Sequence, residues 1–242
     1  PEGPGDKPPA TPTGALPPLQ DPKKNPDPTN EYAPDATYKP VTGEVAVKGP
    51  GDGSAYASKD AVQGSLGNCY FIAMLAAQAR ANPALLENVV KDNGDGTYTV
   101  SLYIKDKATG KRTKTDIVVD NQLPHKGDSV AYAKPGDKGA KGPELWAALI
   151  EKAFAKYAGS YENIRGKKTP DGDVFGLLTG QSSTESSPGM VGKDALGKKL
   201  DEALKAGRPV SFGSLSAATA DSKKAGVVAN HAYSLESVNL DK

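Results

Sequence analysis

The stretch QGSLGNCYFIAMLAAQA, Gln63 to Ala79, holds the only cysteine in a chain of 242 residues. A thiol acts as a nucleophile in its thiolate form, and the unpaired N–H groups and macrodipole of a helix N-terminus favour that form. Cys69 has the position for this effect. Gly64 and Gly67 keep the preceding loop irregular, and the run from Cys69 to Arg80, free of Gly and Pro, predicts a helix that starts at the thiol. Acyl transfer by a thiol also needs a base, a group that orients the base, and donors for the developing oxyanion. Two histidines are candidates for the base. His231 opens a strand-like run 162 residues after Cys69, whereas His125 sits in a Pro/Lys/Gly-rich loop. The side chain of Gln63 and the backbone N–H of Cys69 could supply the donors. A plainer reading stands beside this one: a cysteine in an apolar helix is often only a small buried hydrophobe. Residue types and spacing leave both open.

Several elements must position these residues. Asn82-Pro83 ends the cysteine helix and allows a new helical turn in PALLENVV. In KDNGDGTYTVSLYIK, Val100, Leu102 and Ile104 alternate with polar positions, which predicts a strand; Ile117 to Val119 centre a second. Asn-Gly-Asp-Gly before the first strand reads as a hairpin turn, because its acidic residues lack calcium-loop spacing. Residues 127–142 read as a Lys/Gly-rich loop. PELWAALIEKAFAKYAGSY then carries one broad apolar face from Leu145 to Tyr157, with Pro143 suited to its first turn and Gly159 to its stop. A Gly/Ser/Thr-rich stretch over 166–192 could hinge two lobes. The helix KDALGKKLDEALKAG and two strand-like runs, RPVSFGS and HAYSLESVN, follow.

Composition narrows the function classes. Thirty Lys and Arg against 29 Asp and Glu leave a net charge of +1, which gives no reason to expect nucleic acid or an anionic membrane as partner. One cysteine excludes an internal disulfide and a Cys-rich zinc site. No apolar run approaches the roughly 18 residues of a membrane span. The chain starts at Pro1 with no charged-then-apolar leader, so a soluble protein in either an intracellular or an exported compartment fits. Twelve of the 20 prolines lie in the first 40 positions, and residues 1–45 read as an extended, mostly disordered leader.

The cysteine stretch resembles the active-site segment of the calpain family of cysteine peptidases, where Gln-Gly-x-Leu-Gly-Asp-Cys-Trp opens the catalytic helix. DGTYTVSLY, IVVDNQLP, GPELWAALIEKAFAKYAGSYENIRG and NHAYSLESV match the calpain pattern in the same order. The resemblance runs from about Tyr56 to the C-terminus. It implies an α+β, papain-like core of two lobes, with a mainly helical lobe over 46–166 and a β-rich lobe over 167–242. It further implies that Cys69 is the nucleophile, His231 the base and Gln63 the oxyanion donor in a cysteine endopeptidase acting on proteins or peptides. Calcium is the one cofactor implied, with Asp60 and Glu151 as ligands; each could equally be a solvated or capping carboxylate.

Three departures accompany the likeness. Asn68 replaces the family's Asp, Tyr70 its Trp, and Asn230 the Gly before the histidine. The family's Asn-Pro-Trp-Gly motif, which supplies the residue orienting the histidine, is not found, and Asn239 lacks its context. The expectation is therefore a β lobe that is incomplete at its C-terminal end, with the missing strands supplied by a second chain or by further sequence. The rival expectation is a non-catalytic relative kept as a binding or scaffolding module.

Overall fold

The computed structural model describes residues 36–106, 108–166, 173–187, 189, 191–217 and 219–240. Most of the expected Pro-rich leader lies outside these. From Ala36, however, the chain already belongs to the fold: Ala36 is fully buried, and β1 (Thr37–Pro40) pairs antiparallel with β5 (Gln122–Lys126). Order thus begins earlier than expected. Thr37 and Tyr38 favour a strand, and Pro40 falls at its last position.

Helix α1 (Cys69–Ala81) is the centre of the core. Nine consecutive residues, Phe71 to Ala79, are buried, as expected for a helix without a polar face. Helix α3 (Trp146–Ala158) crosses beside it and is buried from Trp146 to Ala155. The two helices meet through Phe71 and Phe154, whose rings stack with centroids 4.6 Å apart. Gly159 closes α3 in the left-handed conformation at φ 93°. The helix starts at Trp146, because Pro143 ends the short strand β8 (Gly142–Pro143) rather than entering a helical turn.

A three-stranded antiparallel sheet of β2 (Val90–Asp92), β3 (Thr97–Lys105) and β4 (Arg112–Asp120) packs under α3. Its period-2 pattern is realised directly. Tyr98 faces Val119 and Val100 faces Ile117 across the β3–β4 register, all four buried, while Val118 between them is exposed. The β2–β3 turn has Gly94 and Gly96 at positive φ, and the Asp92 and Asp95 carboxylates accept from backbone N–H groups within it. Lys152 of α3 is buried and reaches the end of β4, donating to Asp120 and to the carbonyl of Gln122.

The 127–142 stretch is more ordered than its composition suggests. It contains β6 (Ser129–Val130), paired with β5, and the small hairpin of β7 (Lys138–Gly139) with β8. All eight strands β1 to β8 fall between Thr37 and Pro143, so this part of the chain is mixed rather than mainly helical. Strands of two residues are too short to show a period in sequence.

Helix α2 (Pro83–Leu86) follows α1, α4 (Val174–Thr179) packs on β3, and α5 (Lys193–Lys205) precedes β9 (Ser211–Gly213). After α6 (Ala220–Lys224), β10 (Ala232–Ser234) pairs antiparallel with β9, and this hairpin lies against α1. Phe154→Ala should cost about 3–5 kcal/mol of unfolding free energy, since it removes a fully buried ring from the α1–α3 contact. Urea unfolding followed by tryptophan fluorescence measures this.

Candidate active site

Cys69 is the first residue of α1 and is half-buried. The N–H groups of a first helical turn have no acceptor within the helix, and that of Cys69 makes no hydrogen bond among the described residues. The loop before it and the first helical turn are held at four points. Ser65 N donates to the Ala131 carbonyl at 2.7 Å, and Gly166 N donates to the Gly67 carbonyl at 2.7 Å. The Tyr70 hydroxyl donates to the Ile164 carbonyl at 2.8 Å, which explains how a tyrosine serves at this position. Gly64 has a steric reason: a Cβ there would lie 2.0 Å from the Tyr132 carbonyl oxygen.

The fourth point is the most consequential. Asn68, fully buried, donates from Nδ2 to Glu151 Oε1 at 2.7 Å, and Ala133 N donates to Glu151 Oε2 at 2.9 Å. The Glu151 carboxylate therefore ties α3 to the residue before the thiol and to the 131–133 segment. Both of its oxygens are engaged. Glu151, expected as a calcium ligand, is not part of the acidic group Asp52, Asp60 and Asp137 found among the described residues, and it accepts from an amide and a backbone N–H. Burial pushes its pKa up to about 7, opposed by the two hydrogen bonds.

Gln63 donates from Nε2 to the Leu66 carbonyl at 2.7 Å. That bond uses one of the two amide hydrogens and fixes the carboxamide within the nucleophile loop, leaving the second hydrogen for another acceptor.

His231 is half-buried and directly precedes β10. Its backbone is pinned by Ser214, whose N–H donates to the His231 carbonyl at 2.8 Å and whose Oγ accepts the His231 N–H at 2.9 Å. Its ring meets the edge of Tyr233 at 5.0 Å. Asn230 is the one non-glycine residue at positive φ among the described residues, at 50°. The left-handed turn before the histidine accounts for a Gly in the family pattern, and Asn is among the non-glycine residues that tolerate it best.

The hairpin carrying His231 packs on the helix that begins at Cys69, but no hydrogen bond joins the two side chains. Beyond β10, the Glu236 carbonyl accepts from Arg80 Nε at 2.5 Å and the Glu236 carboxylate accepts from Ser58 Oγ at 3.3 Å, fixing the strand's exit against α1. His125 lies in β5, not in a loop, and its Nδ1 is 2.9 Å from the Leu123 carbonyl. Asn239 lies beyond the end of β10.

The structure also assembles an acidic group that sequence spacing only half revealed. Asp52, Asp60 and Asp137 place carboxylate oxygens within 4.8 Å of one another. Main-chain bridges Glu44–Glu144 and Val62–Lys134 lay the 44–62 segment on the 134–145 segment and bring them together. Glu144, almost fully buried, adds a fourth carboxylate beside Asp60. Its Oε1 accepts from Val47 N at 2.9 Å, whereas its Oε2 has no partner. Two ionised carboxylates cannot hydrogen-bond, so a shared proton or a cation must satisfy that oxygen. Burial and the neighbouring Asp60 push Glu144 upward. The set is all hard oxygen donors, and oxygens within about 5 Å of each other can share one calcium at bond lengths of roughly 2.3–2.6 Å. The residues fit that ion. Only Asp60 was legible from sequence; Glu144 came from the pairing of two distant segments.

The fold thus brings a thiol at a helix start, an anchored glycine loop before it and a histidine hairpin onto the same helix. The sequence pattern of the calpain family cysteine proteases matches residues 53–241, and the chain belongs to that family. It is 33% identical to calpain clp-4 of Caenorhabditis elegans over 188 residues, 74% of this chain and 24% of that protein. It is 32% identical to the calpain-type cysteine protease ADL1 of rice over 191 residues, 74% of this chain and 8% of that one. With mouse calpain-9 it shares 28% over 189 residues, 75% of this chain and 26% of the relative. The chain thus spans about a quarter or less of the length of these relatives.

Glu151→Gln should fold and flatten the pH dependence of stability. An acid with a raised folded pKa binds more protons when native, so stability falls as pH rises from about 4.5 to about 7, by on the order of 3 kcal/mol. The amide can still accept from Ala133 and can donate to Asn68 Oδ1, which is buried without a partner. Urea titrations at pH 4.5 and 7.5 check this; an unchanged slope in the variant would assign the dependence to other groups. Asn230→Val should destabilise by about 1–2 kcal/mol, whereas Asn230→Gly should be near neutral.

Proposed function

We propose that this chain carries the nucleophile and base of a calpain-type cysteine endopeptidase. The reading rests on one observation above the others: Cys69 opens a buried helix, and the hairpin that carries His231 packs on that helix. In this mechanism His231 takes the thiol proton and the Cys69 thiolate attacks a peptide carbonyl. The oxyanion then receives the Cys69 N–H and the second Gln63 amide hydrogen. His231 returns the proton to the leaving amine, and water attack regenerates the thiol. The substrate is a protein or peptide, bound in a cleft between a nucleophile lobe and a histidine lobe. A group that orients the imidazole would be supplied by sequence or a partner chain beyond these residues.

Calcium is part of the proposal. Asp60 and Glu144, with Asp52 and Asp137, would hold it. Bound there, the ion would neutralise clustered charge and clamp the 44–62 segment to the 134–145 segment.

A second reading, a non-catalytic binding module of calpain type, is favoured by one feature. The His231 ring contacts Tyr233 but makes no orienting hydrogen bond among the described residues.

Peptide hydrolysis and alkylation of Cys69 separate the two. The enzyme reading expects Cys69→Ala to lower hydrolysis by the full-length protein roughly a thousandfold or more without altering its melting temperature. It also expects His231→Ala to slow iodoacetamide labelling of Cys69 near neutral pH. Equal hydrolysis by wild type and Cys69→Ala defeats it. No hydrolysis, with labelling indifferent to His231, supports the module. Calcium at millimolar concentration should raise the melting temperature of the wild type, and Asp60→Asn with Glu144→Gln should abolish that rise.

A further inference from the structure

The acidic group already holds a cation of its own. Lys59 is the residue before Asp60, in the one-turn helix Ser58–Asp60. Its Nζ lies 3.1 Å from Asp52 Oδ1 and 2.9 Å from Asp137 Oδ2, so one ammonium bridges two of the three clustered aspartates. The remaining bonds hold the frame in place: Asp52 Oδ2 accepts from Gly49 N at 3.0 Å and Asp60 Oδ2 accepts from Ala57 N at 3.2 Å.

Two glycines show how closely this frame is fitted. A Cβ on Gly49 would lie 1.7 Å from Asp137 Oδ2 and 2.7 Å from Asp52 Oδ2. One on Gly136 would lie 2.4 Å from Glu144 Oε2 and 3.1 Å from Asp60 Cβ. Backbone therefore approaches the carboxylates where any side chain would displace them. Glu144 Oε2, buried beside Asp60 without a donor, is an independent sign of a place for one further positive centre, a proton shared with Asp60 or a metal ion.

Resting on the calcium reading above, we propose that Lys59 is a tethered counter-ion that a divalent cation must displace. The ammonium occupies the Asp52–Asp137 edge when no metal is bound and preserves the frame. A metal entering between Asp60 and Glu144 needs oxygens from that same edge to complete its shell. It gains them only when Lys59, half-exposed on a flexible stem, swings into solvent. Lys59 thus sets the calcium threshold. It lowers affinity by competing for oxygens and by repelling the incoming charge, and it limits how far the site comes apart without metal.

The test is direct binding rather than activity. The full-length wild type, Lys59→Met, Lys59→Arg and Asp60→Asn are titrated with calcium chloride by calorimetry and with terbium chloride by luminescence. Each is also melted in chelator and in calcium. The proposal expects Lys59→Met to bind calcium about tenfold or more tightly than wild type, and Lys59→Arg to stay within about twofold of wild type. In chelator, Lys59→Met should melt below wild type, and calcium should close that gap. If Lys59→Met binds no more tightly than wild type while Asp60→Asn loses binding, the metal site stands and the counter-ion role falls. If none of the four binds either ion at millimolar concentration, the calcium reading fails and takes the counter-ion role with it.

Discussion

The buried carboxylate of Glu151 is the interaction on which the candidate site depends. A charge removed from water has to be met by donors held in place. Here the donors are Asn68, immediately before the thiol, and the backbone of Ala133. Glu151 itself is fixed because α3 is buried along ten residues and stacked on α1 through Phe154 and Phe71. The loop that presents Cys69 is thereby positioned by the hydrophobic core. Any rotation of α3 would leave an uncompensated charge and two orphaned N–H groups. That penalty turns general packing into a defined place for the thiol.

The same logic recurs at the acidic group, with the opposite sign of completeness. Around Glu151 the polar atoms are met on the carboxylate side. Around Glu144 and Asp60 one oxygen, Glu144 Oε2, is not, because carboxylates face carboxylates and Lys59 neutralises only one edge. A satisfied network rigidifies, whereas an unsatisfied buried polar atom is costly. Both networks are anchored in the stretch from 131 to 151, so the nucleophile loop and the acidic group share one platform of β6 to α3. The exit of β10 touches Ser58, in the one-turn helix that carries Asp60, and Arg80 of α1.

How much of this could be read beforehand varied with the length of the pattern. The α1 and α3 helices carry long, uninterrupted apolar faces, and β3 and β4 alternate over enough residues for period 2 to stand out, so all four were legible. The strands β1 and β5 to β8 are short and embedded in Pro-, Lys- and Gly-rich sequence. Their pairing, rather than their propensity, makes them strands. Asn230 was legible as a departure from a Gly pattern; only φ of 50° explained why Asn is tolerated there.

The sequence alone determined the chemistry on offer. A single thiol at a helix start, a Gln six residues before it, a distant histidine and the ordered motifs of the family were enough to name the class, because these are local facts of residue type and spacing. The tertiary structure decided the rest. It set the Glu151 carboxylate against Asn68 and Ala133, which tie α3 to the nucleophile loop. It put Glu144 beside Asp60 by pairing segments nearly a hundred residues apart. It placed Lys59 between Asp52 and Asp137. A carboxylate's role depends on which donors and charges surround it after folding, and those partners come from parts of the chain that local pattern cannot connect.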